Sequence, residues 1–155
     1  MLRDDINAAL KEALKAQEKR RLATLRLVNA ALKDRDIEHR GQGKDPLNDD
    51  ELRALLAKMV KQREESARLY DEGGRPDLAD REREEIVFIK AFLPQQLCEA
   101  DTRAAIKAII TEIDAKGIKD MGRTMALLKE RHAGALDFGK ASQWVKEALT
   151  AAAAG

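Results

Sequence analysis

Two short sets of residues in the last third of the chain have the composition of an anion site. Lys119 and Arg123 flank Gly122, and Lys140 follows Gly139. Each set lies where a helix is expected to begin, on either side of Asp120 and just after Asp137. A helix start presents free N–H groups and the positive end of the macrodipole. A glycine and a cation beside it can therefore receive a phosphate. Glycine costs a helix about 1 kcal/mol relative to alanine, so Gly122 asks for a reason. The same residues also allow a plainer use, with Asp120 and Asp137 as N-caps and the glycines easing helix packing. The two aspartates would oppose an anion. A second basic stretch, KRRLATLR, holds Arg20, Arg21 and Arg26. Between residues 15 and 44, nine Lys or Arg stand against four acids. That face could attract phosphates, or pair with the acidic long helix that follows it.

Other chemistries find no motif. The histidines, His39 and His132, are far apart, and there is no HExxH, CxxC or EF-hand loop. The P-loop and GxGxxG signatures are absent as well. No metal, cofactor or catalytic residue is assigned. Cys98 with His132 is a conceivable nucleophile pair, against the usual reading of an unpaired buried thiol. Most carboxylates lie beside Lys or Arg, as on a solvated helix face. Five aromatics are too few to stack single-stranded bases. Trp144 lies at core spacing, and core packing and a partner hot spot are its two readings.

The elements that must position these groups are helical. Charged residues are 37% of the chain and aromatics 3%. Apolar residues recur at helical spacing throughout, and no alternating run of useful length predicts a strand. The fold class is all-α. Leu2, Ile6, Leu10, Ala13 and Leu14 mark one amphipathic helix; Leu22, Leu25, Val28, Ala31 and Leu32 mark the next. Between these two, only a short connection or a kink is expected. RGQGKDPL is a loop, and Asn48 with Glu51 reads as a capping box. The long helix that follows ends at Gly73-Gly74, and Pro76 suits the first turn of another. Pro94 interrupts the pattern and is taken as a boundary. The expected organisation is an N-terminal helical domain, 1–93, and a three-helix tail, 94–155. The net charge of +1 gives no global field for nucleic acid, so any anion site is local. No apolar run is long enough to span a membrane. A lone cysteine and an N-terminus unlike a secretory signal suit a cytoplasmic location.

Three segments, RRLATLRLVNAALKDRDIE, GGRPDLADREREEIVFIKAFLPQQL and IKDMGRTMALLKERHAGALDFGKASQWVKEAL, together resemble the GatB/YqeY-like family. The resemblance covers nearly the whole chain. Its tail is similar to the C-terminal tail of the aspartyl/glutamyl-tRNA amidotransferase B subunit. It implies an all-helical protein whose tail is associated with tRNA contact. The matching tail positions are Lys119, Asp120, Met121, Gly122, Gly139, Lys140 and Ser142. The chain departs from the pattern at Cys98, where a better capping residue is usual. It departs again at Ala133 and Ala135, where many relatives keep basic side chains.

The resulting expectation is a non-catalytic tRNA-binding or tRNA-amidotransferase-associated protein. Lys119, Gly122, Arg123, Gly139 and Lys140, with Arg20, Arg21 and Arg26, would meet the nucleic acid. A protein-interaction module of the translation apparatus is the alternative, docking an amidotransferase or another translation protein through a patch centred on Trp144 or a methionine. A carbon–nitrogen ligase using glutamine as amido donor is the third reading. It follows only from the family resemblance.

Overall fold

The structure is a computed structural model and describes residues 1–154. Seven α-helices carry almost all of it: α1 Leu2–Lys15, α2 Lys19–Gly41, α3 Asp49–Glu72, α4 Pro76–Lys90, α5 Glu99–Glu112, α6 Met121–Arg131 and α7 Phe138–Ala154. A single 3-10 turn, Ile118–Asp120, leads into α6. No strand occurs among the described residues. The chain separates into two compact units, Met1–Pro94 and Gln95–Gly155.

In the first unit, α3 and α4 pack side by side, joined by the Gly73-Gly74 turn. One apolar cluster gathers Ile6, Val28, Leu52, Leu56 and Ile89; a second holds Ala9, Ala13 and Leu25. The helix ends follow local chemistry. Asn48 accepts from the Glu51 N–H at 2.9 Å, while the Glu51 carboxylate accepts from the Asn48 N–H at 2.9 Å. Both are first-turn donors that the helix itself leaves unpaired. Pro76 opens α4, where a missing N–H costs nothing. Gly74, at φ 73°, takes the left-handed position after α3. Its N–H reaches the Asp71 carbonyl, and the Arg75 N–H reaches that of Tyr70.

The break between α1 and α2 has the same geometry without glycine. Gln17 sits at φ 54°, its N–H on the Leu14 carbonyl and the Glu18 N–H on that of Ala13. So the connection is a true turn. Asp114, at φ 52°, ends α5 in the same way.

The second unit is a three-helix arrangement around Ile106, Ile109, Leu128, Val145 and Leu149. Its entry segment is tied to the loop before α7. The Leu97 N–H donates to the Ala135 carbonyl at 2.8 Å, and Gln96 Nε2 to that of Gly134 at 2.6 Å.

Candidate functional site

The start of α6 is the more open of the two helix starts. Asp120 stands at its N-cap position, but its carboxylate does not cap α6. It turns back to accept from the Lys116 N–H at 2.8 Å. This corrects the expected cap. The 3-10 turn places Asp120 over the preceding loop, where that donor is nearer. The Lys116 N–H, and behind it the charges of Arg123 and Lys119, hold Asp120 below the ordinary carboxylate range. Lys119 is exposed and has no ion pair among the described residues. Gly122 is exposed, and a side chain there would meet nothing within 4 Å. Close packing therefore does not explain this glycine. Arg123 is partly committed: one guanidinium nitrogen donates to the Ile113 carbonyl at 2.9 Å, closing the end of α5.

The start of α7 is closed by its own aspartate. Asp137 Oδ1 accepts from the Gly139 N–H at 2.8 Å, so here the expected cap is present. Lys140 next to it is exposed and without an ion pair among the described residues. Lys129 lies over the Phe138 ring at 6.0 Å, which brings a second cation to this end.

The two starts do not meet. A Cβ on Gly117, just before the 3-10 turn, would lie 3.5 Å from the Ala153 Cβ near the far end of α7. Lys140 precedes Ala153 by thirteen residues, about 20 Å along the helix axis. Lys119, Gly122 and Arg123 thus form one group, and Gly139 with Lys140 another. The chain reverses between α6 and α7, and that reversal carries their starts to opposite ends.

Two of the three arginines expected to meet nucleic acid on the basic helix are engaged within their own unit. Arg20 pairs with Glu84 of α4 at 2.7 Å. Arg21 pairs with Glu18 at 3.0 Å and with Glu12 of α1 at 3.5 Å. The partners come from α1, α4 and the turn before α2, whereas the long helix α3 was the expected source. Arg26 is exposed and has no ion pair among the described residues.

Cys98 is exposed, which corrects the buried thiol. Its sulfur accepts from the Asp101 N–H at 3.4 Å, a weak cap for α5. Among the described residues, no cluster of three His, Cys, Asp or Glu could hold a metal ion. Trp144 is half-buried against the second unit's core, with the Arg103 guanidinium 5.4 Å from its ring centre.

Sequence reasoning missed Asp36. Its carboxylate takes both Arg3 guanidinium nitrogens, at 2.6 and 3.0 Å, and the Leu47 N–H at 3.0 Å. Those bonds hold Asp36 below the usual carboxylate range, the Arg3 pair contributing most. They fasten α1 and the α2–α3 loop to α2. Asp36 was legible only as one acid among many charges.

Similarity to a family model runs through nearly the whole chain. Residues 3–149 match a family model described as Yqey-like protein. Among curated proteins, the chain is similar to altered inheritance of mitochondria protein 41, mitochondrial, from Lachancea thermotolerans. The two are 34% identical over 106 residues, 67% of this chain and 55% of the relative. The protein of the same name from Clavispora lusitaniae is 33% identical over 92 residues, 59% of this chain and 51% of the relative. That from Eremothecium gossypii is 32% identical over 84 residues, 54% and 44%. Each match spans about half the relative's own length. No helix among the described residues is long and apolar enough to cross a membrane. With a family match running through both units, the chain belongs to the YqeY-like family.

Proposed function

We propose that this chain is a non-catalytic tRNA-binding or tRNA-amidotransferase-associated protein whose second unit meets the nucleic acid, in the cytoplasm. The observation that carries the reading is the start of α6. There an exposed glycine that packing does not require stands between a lysine and an arginine that have no ion pair among the described residues. The two cationic groups lie about 20 Å apart along α7, a separation that suits a ligand with repeated charges better than a single phosphate. Contacts would run to the phosphate backbone and read shape more than sequence. Arg20 and Arg21 are already ion-paired, which leaves Arg26 as the one expected contact of the first unit without an ion pair among the described residues, so the proposal rests on the tail.

Fluorescence anisotropy with bulk tRNA over a salt series tests it. The wild type should bind in a salt-sensitive way. Lys119→Ala and Lys140→Ala should each weaken binding and reduce the salt slope by about 0.7–0.9, the value for one lost phosphate contact. Arg123→Lys, which keeps the charge, should bind nearly as the wild type does. Absence of binding at low salt would sink the reading, as would variants indistinguishable from the wild type.

A further inference from the structure

Helix α2 is apolar on two sides. Thr24, Leu25, Val28 and Leu32 face the interior of the first unit. On the outside, Ala23, Leu27, Ala30, Asp34, Ile37 and Gly41 follow one another at alternating steps of four and three residues. All six are exposed, Leu27 at 50% and Ile37 at 64%. Steps of four and three describe the seam of a coiled coil, about 27 Å long here. Along one edge run Arg26, Lys33 and Arg40, seven residues apart and exposed. None of these three makes an ion pair among the described residues.

We infer that this outer face of α2 docks an amphipathic helix of a partner protein, apolar along its seam and acidic along the edge that meets Arg26, Lys33 and Arg40. The charge row sets the partner's sign, and its period matches carboxylates repeated once per heptad. Ala23, Ala30 and Gly41 let a second helix backbone come close, while Leu27 and Ile37 supply the knobs. Asp34, mid-seam and exposed, calls for one basic residue opposite it and so fixes the register. A membrane surface fits less well. It rewards large side chains along the stripe, and here three of six positions are Ala or Gly, with an aspartate among the rest. A second copy paired antiparallel would set the basic row against itself.

The inference is independent of tRNA binding by the tail. Its test uses the full chain and a labelled synthetic helix of about 20 residues, with Leu at seam positions, Glu along the edges and one Lys to face Asp34. Saturable anisotropy binding is expected, at least about tenfold tighter than for a scrambled peptide of the same composition. The variant R26E/K33E/R40E should lose that binding and regain it with a peptide carrying Lys for Glu. The variant Leu27→Gln/Ile37→Gln should weaken binding to both peptides. All five positions are exposed, so circular dichroism should show unchanged helicity. Equal binding of designed and scrambled peptides, or failure of the charge swap to restore binding, overturns the proposal. So does binding of bulk RNA or anionic vesicles through these residues while the designed peptide does not bind.

Discussion

The two units use the same chemistry of charge in different proportions. In the first, arginines and acids cross between helices: Arg3 to Asp36, Arg20 to Glu84, Arg63 to Glu85 and Arg83 to Asp71. In the second, Arg103–Glu147 and Arg131–Glu112 cross between helices. Among the described residues, Lys119 and Lys140 of the second unit are exposed without an ion pair, as are Arg26, Lys33 and Arg40 of the first. Each unit has its own apolar core. Formal charge therefore says little about where a protein meets an anion. What matters is which cations its own acids have already engaged. Exposed pairs contribute little to stability, so the crossings in the first unit matter mostly where burial or backbone contacts join them, as at Asp36.

The sharpest way to break the comparison is to truncate each core. Leu56→Ala and Leu149→Ala remove fully buried side chains and should each cost about 2–5 kcal/mol. Hydrogen exchange should show Leu56→Ala loosening the amides of α1–α4, and Leu149→Ala those of α5–α7. Losses spread evenly over both sets would show one cooperative core in place of two.

A smaller effect separates the charge networks. Asp36→Asn should destabilise the first unit by about 1–3 kcal/mol, because Arg3 and the Leu47 N–H lose their shared acceptor. The folded carboxylate of Asp36 titrates below its unfolded value. Its contribution is therefore fully present above the unfolded value and disappears as pH falls through the lower folded one. Urea melts between pH 6 and 2 should lose stability below about pH 4, and the Asn variant should lose less. Parallel pH profiles for the two proteins would remove Asp36 from the account.

The smallest effects come from the left-handed turns. Gly74→Ala should cost about 1 kcal/mol, and Asp114→Gly should gain a comparable or smaller amount. The sign reverses because the first introduces a side chain at positive φ and the second removes one. Thermal melts that shift the same way for both would contradict the turn geometry.

Much of the helical framework was legible because its signals are local. The Asn48–Glu51 box, Pro76 and Gly74 each act within one turn of the chain. Gln17 and Asp114 were not legible, since neither residue type announces a left-handed position as glycine does. Asp36 was hidden for another reason: its partners lie at residues 3 and 47, and no local pattern joins them. At the candidate site the residue types were readable but their grouping was not. The spacing that marked two helix starts carried no information about the chain reversal that parts them. The outer face of α2 was overlooked because its inner face already accounted for an amphipathic helix.

Trp144 gives the two units different optical signatures. It is the only tryptophan in the chain, and it packs on the core of the second unit. The single tyrosine, Tyr70, belongs to α3 of the first. Emission excited selectively at tryptophan therefore reports the second unit alone, whereas the far-ultraviolet dichroism sums the helices of both. A lag between the two signals during denaturation would measure how independently the halves melt, with no label and no substitution.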